Sequence, residues 1–254
     1  MGSLFGDIDL KDCLDIHILD RAGKSVELYG EIHNRGLVED NTYVQMIDAI
    51  YGSKPQPLVL VEHSSILCNL EGLDIDKIKY MLSNGGSETI FYNLMSRGYT
   101  KMLCIDNRLE FGLLSRKTTF DIEKYIGCML DSNNMQMDDN IAMIISVLTK
   151  QINLIDGSSM REYFKKSVYS TRYPIYLDIF KTQLEIVYLL FKIGGSTPAL
   201  FKQSIIKGHT NIKVFYSTII DIIYNLESFG SMVVDINILN NIVRSRFKNI
   251  VVYA

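Results

Sequence analysis

Leu58-Val59-Leu60-Val61 is a run of four consecutive apolar residues, preceded by Pro55-Gln56-Pro57 and ended abruptly by Glu62-His63. A strand with one wet face alternates apolar and polar residues. An unbroken run is what a strand buried on both faces of a parallel sheet requires. Met102-Leu103-Cys104-Ile105 repeats the pattern and ends in Asp106-Asn107-Arg108. Parallel strands need a crossover between them. The spacing predicts two short helices there, over Asp74–Leu82 and from a Ser87 cap to Gly98. Upstream, Leu14–Leu19 and Val26–Tyr29 flank Asp20-Arg21-Ala22-Gly23-Lys24 as strand, turn and strand. Tyr43, Ile47 and Ile50 recur at helical spacing over Asp40–Tyr51.

From Phe120 to Phe247 only helical periodicity remains, over Ile122–Leu130, Asp139–Ile155, Met160–Val168, Ile175–Ile193, Pro198–Ile206, Val214–Leu226 and Val233–Phe247. Asn249-Ile250-Val251-Val252-Tyr253 then reads as a last strand, expected to join the sheet of Leu58–Val61. The expected fold is α/β: a mostly parallel sheet with flanking helices and a large all-helical insertion before the last strand. Its parts are a first α/β section over 1–119, a helical insertion over 120–230, and a helix and strand returning to the core over 231–254.

Composition narrows the function. With 254 residues, 47% hydrophobic and 22% charged, the chain has an ordinary globular balance. A net charge of −3 offers no basic field for a nucleic-acid backbone, so nucleic acid is not an expected partner. The greasiest stretches, Ile141–Leu148 and Ile186–Phe191, are far short of the ~20 residues that span a bilayer. Cys13, Cys68, Cys104 and Cys128 lie far apart with no C-x-x-C pair, and they read as reduced thiols of a cytoplasmic protein. The richness in Ile, Asn, Lys and Tyr fits an AT-rich, viral or parasitic genome.

In open parallel sheets, ligands bind beyond the carboxyl ends of the strands. Here those ends carry Gly30-Glu31-Ile32-His33-Asn34-Arg35, Glu62-His63 and Asp106-Asn107-Arg108. Each has a bland reading: a helix cap for Asp106, a hydrogen-bonded loop residue for His63, turn chemistry for Gly30. Glu31 and His33 are more pointed. A carboxylate and an imidazole two residues apart, just after glycine, can share a water or a metal ion. His17 falls within a strand and His209 at a helix end. No G-x-G-x-x-G, P-loop, H-E-x-x-H or G-x-S-x-G occurs.

The ordered set resembles the TraB/ChaN/Tiki group, which takes in the erythromycin-esterase-like proteins. Gly30-Glu31-Ile32-His33 is similar to its first G-x-x-H element, Leu58–Glu62 to its apolar strand ending in Glu, and Met102–Arg108 to its strand ending in an Arg-containing element. The order and the long helical insertion match over nearly the whole chain. The resemblance implies metal-dependent proteolysis or ester cleavage of a peptide or small-molecule ester, or, as in ChaN-like members, haem binding. It implies a divalent ion (Mn, Co or Zn) held by His33, Glu62 and Glu31. Glu31, His33 and Arg108 would be catalytic, Arg108 pairing with Asp106 or holding an oxyanion, and His63, Asp106 and Asn34 would contact substrate. Asn249–Ala254 is similar to the strand that leads into the group's second G-x-x-H, and the sequence stops before that element. The other classes are a non-catalytic binding or host-interaction protein that keeps the fold, and a scaffold whose helical insertion is the working surface.

Overall fold

The computed structural model describes residues 14–21, 23–31, 40–64, 91, 94–95, 97–131, 140–193, 200, 203, 207 and 211–253. By contact, the chain divides into two compact units: Met1–Asn107 with Asn237–Ala254, and Arg108–Ile236.

The first unit holds the sheet. Strands β1 (Leu14–Arg21) and β2 (Lys24–Glu31) form an antiparallel hairpin, with Arg21 opposite Lys24. Gly23 takes φ +72 at its turn, where a Cβ would be strained. Strand β3 covers Leu58–Ser64, β4 Met102–Asp106 and β5 Asn249–Tyr253, in the order β1-β2-β5-β3-β4. Apart from β1, all pairings are parallel. The fold is therefore α/β, with the helical stretch inserted before the last strand. That strand is not a tail: β5 lies between β2 and β3, with Ile250, Val251 and Val252 buried.

Burial on both faces explains the unbroken apolar runs of β3 and β5, whereas β4, expected to be buried in the same way, leaves Leu103 exposed. On one face Val59, Val61, Cys104 and Val251 pack with Phe91, Leu94, Tyr99 and helix α1 (Asp40–Gly52), which contributes Met46, Ile47 and Ile50. Leu58, Leu60, Ile105, Ile250 and Val252 are buried as well. Each such side chain contributes roughly 1.5–3 kcal/mol. The Lys24 ammonium donates to the Ile242 and Ser245 carbonyls at 2.5 and 2.6 Å, satisfying the end of the chain's last helix.

The second unit is helical: α2 (Arg116–Asp131), α3 (Asn140–Ile155), α4 (Ser158–Lys165), α5 (Arg172–Ile193) and most of α6 (Ile212–Arg244). In α3, Ile141, Ile144, Ile145, Leu148, Ile152 and Ile155 form one buried stripe at helical spacing. The aromatic centre is Phe229, fully buried among Phe164, Tyr173, Tyr176 and Phe180.

Three expectations are corrected. The two helices read as Val214–Leu226 and Val233–Phe247 are one 33-residue helix, ending at Arg244. Ser228 and Ser231 turn their hydroxyls back onto the carbonyls four residues earlier, and buried Gly230 lets the Arg108 stem pass, 3.1 Å from where a Cβ would stand. The serines thus keep to the helix, and the glycine suits close packing rather than a break. Second, Glu62, His63 and Asp106 are strand residues, not residues after strands. Third, Cys104 is disulfide-bonded, its partner lying outside the described residues, so the reading of four reduced thiols does not hold; Cys128 is free and exposed. Among the described residues no helix is long and apolar enough to cross a membrane. The expected helices over Asp74–Leu82 and Pro198–Ile206 lie largely outside the described residues.

Candidate functional site

Register aligns the strand ends. Tyr29, Tyr253, Val61 and Cys104 stand in one row across β2, β5, β3 and β4. Glu31 ends β2 two residues past that row. Glu62 and His63 follow Val61, and Asp106 stands two past Cys104. Three of the predicted polar endings thus occupy the same carboxyl edge of the sheet, the place where α/β sheets bind ligands. Adjacent strands are ~4.8 Å apart, so Glu31 and the end of β3, with β5 between them, are separated by roughly 10 Å of sheet.

The edge is irregular at β3. Val61 pairs with Cys104 and Ser64 with Asp106, so Glu62 and His63 together stand opposite Ile105. Such a bulge re-aims side chains and is common beside active sites. His63 is only 6% exposed, and its ring lies 4.4 Å from that of Phe91, on the α1 side of the sheet. Burial lowers the His63 pKa below its ordinary value, and the Asp106 carboxylate pulls it back up without overcoming that effect. His63 is therefore a neutral imidazole at pH 7, with an anion near enough to steady its charged form. Glu62 is half-buried.

Sequence reasoning missed the bulge and gave no role to Ser64, Asn237 or Asn241. Ser64 Oγ is buried, with no hydrogen-bond partner among the described residues, and Asn107 is buried just past β4. Asn237 donates its side-chain N–H to the Ile105 carbonyl at 2.8 Å, and Asn241 donates to the Asn237 carbonyl at 2.9 Å. Arg108 belongs to the helical unit; there it lies against Gly230 and lines a small cavity with Thr119, Gln151 and Glu227. His33 and Asn34 lie outside the described residues, and Glu31 is placed by its backbone.

A metal needs three or more donors converging. Among the described residues no three His, Cys, Asp or Glu side chains are grouped that way. Of the three donors named in the sequence, His33 lies outside the described residues. The chain matches no family model, no curated protein and no solved structure.

One consequence for stability follows from His63. A histidine whose folded pKa is depressed makes the unfolded chain the better proton acceptor below the ordinary value near 6.5. Its contribution to stability is complete above that pH and is lost as pH falls from there through the depressed folded value. The melting temperature should drop between pH 7.5 and 5.5, and His63→Gln should flatten that part of the profile. A wild-type profile that is flat or rises on acidification would contradict the burial of a neutral ring.

Proposed function

We propose that the chain is a hydrolase that cleaves a peptide or ester bond at the carboxyl edge of its sheet, by Glu/His-assisted activation of water. The observation that carries this reading is the register that aligns Glu31, Glu62–His63 and Asp106 on one edge, with a bulge under the histidine. Neutral His63 takes a proton from water as the oxygen attacks the substrate carbonyl carbon. Asp106 stabilises the imidazolium so formed. The proton then passes to the leaving alcohol or amine as the bond to carbon breaks. Glu31 and Glu62 orient the water and the substrate. The resemblance to the TraB/ChaN/Tiki group supports the same reaction class. A divalent ion, if one takes part, would draw on His33, Glu31 and Glu62.

The test is turnover of a panel of nitrophenyl esters and quenched fluorescent peptides by the purified protein. It is run with chelator and again with Mn, Co or Zn added. Hydrolysis that His63→Gln or His33→Ala removes supports the reading. No hydrolysis under either condition, with an iron-porphyrin absorption band appearing on haem addition, would overturn it in favour of a ligand-binding protein.

A further inference from the structure

At the opposite end of the sheet from the candidate site, three cations surround a groove of about 380 Å³. Leu58, Met102 and Leu103 contribute apolar surface, and Lys101, Arg244 and Arg246 the charge. No acidic residue lines it among the described residues, and none of the three cations has an ion-pair partner among them. Lys101 lies over the Phe247 ring, 5.9 Å from its centre. The carbonyls that end α6 are already taken by Lys24, so Arg244 and Arg246 are not needed there. A concentration of positive charge in a chain of net charge −3 calls for an anionic occupant.

The backbone indicates what kind of anion. Among the described residues β4 is one of the two edge strands. The Val59 N–H donates to the Lys101 carbonyl at 2.9 Å, which turns the backbone of Lys101 and Leu103 toward β3. Strand alternation then turns the N–H and C=O of Met102 away from β3, to the open side. Leu103 is 44% exposed beside it. Edge strands are commonly guarded by a charge on the strand itself. Here two of the three cations come from the end of α6 and, with Lys101, surround apolar side chains.

We propose that this edge receives an extended acidic peptide segment of a partner protein. The segment adds as a strand along β4, its carboxylates meeting Lys101, Arg244 and Arg246 and its apolar side chains lying on Leu103 and Met102. Strand addition supplies backbone hydrogen bonds, and alternate side chains supply selectivity.

A short fluorescein-labelled peptide of alternating Glu and Val, followed by anisotropy, tests this on the full chain. Saturable binding is expected, weakened about tenfold in the Arg244→Gln/Arg246→Gln variant and by added salt. Both arginines are exposed, so the variant keeps its fold, which circular dichroism verifies. Four results would each overturn the proposal: no saturable binding, unchanged affinity in the double variant, equal binding of a Lys/Val peptide, or equal binding of a Glu peptide interrupted by prolines. Tighter binding of a single-stranded oligonucleotide would overturn it too, by making the groove a phosphate-backbone site.

Discussion

Phe229→Ala destabilises the helical unit by about 3–5 kcal/mol, the range for removing a large aromatic side chain from a packed core. Phe229 is fully buried, with ring centres of Phe164 at 5.0 Å, Phe180 at 6.0 Å, Tyr173 at 6.2 Å and Tyr176 at 6.4 Å. Those rings come from α4 and α5, so several elements lose contact at once. The site collapses poorly, because Phe229 lies mid-way along a 33-residue helix held before it by Thr119, which donates to Glu227, and after it by two tyrosines. Tyr163 donates to the Val233 carbonyl and Tyr169 to Asp235 a turn or two further on. Urea unfolding followed by far-UV circular dichroism reads the loss as a shifted midpoint at unchanged slope. A loss below about 1 kcal/mol would mean that the ring cluster is not packed as described.

The second large effect concerns turnover. His63→Gln keeps a polar side chain of similar reach against Phe91 but cannot take up a proton. On a substrate found in the panel, kcat/KM should fall about 10²–10⁴-fold, the usual worth of a positioned general base. The acid limb of the pH profile should disappear with it. That limb lies below the ordinary histidine value, because burial depresses the His63 pKa and only the deprotonated ring is competent. Asp106→Asn should lower the rate as well and move the limb to still lower pH, since the group that raises the His63 pKa is gone. A His63→Gln protein with full activity would remove His63 from the reaction and leave the Glu31/His33 pair to carry it.

The parallel core was legible because double-sided burial leaves a direct trace in sequence. Leu58–Val61 and Ile250–Val252 read as strands for that reason and are strands; Met102–Ile105 is a strand as well, but an edge strand with Leu103 44% exposed. The ends of those strands were less legible. Glu62, His63 and Asp106 look like loop residues by polarity, yet they continue the ladder, because a sheet edge has neighbours that can shelter polar groups. The bulge at Glu62–His63 depends on the register between β3 and β4, which only tertiary pairing sets. The Cys104 disulfide escaped for the same reason: pairing is a matter of distance in space, and spacing along the chain does not encode it. The single helix α6 was read as two because Ser228, Gly230 and Ser231 are weak helix formers, and the packing role of Gly230 is visible only with Arg108 in place. As to the site, the three strand ends could be named from the sequence, whereas the neutral state of His63 and its contact with Phe91 could not.

The most direct test of the central claim, that the ends of β2, β3 and β4 form one site, is an NMR titration of the His63 imidazole. It is recorded in the wild type and in Glu31→Gln, Glu62→Gln and Asp106→Asn. The wild-type ring should titrate below the ordinary histidine value. Each substitution removes a negative charge and should move the titration lower still. The largest change is expected for Asp106→Asn, and the smallest for Glu31→Gln, which acts across β5. A ring that titrates at or above the ordinary value in the wild type, or that does not respond to Glu31→Gln and Glu62→Gln, would show that these carboxylates and His63 do not share a site.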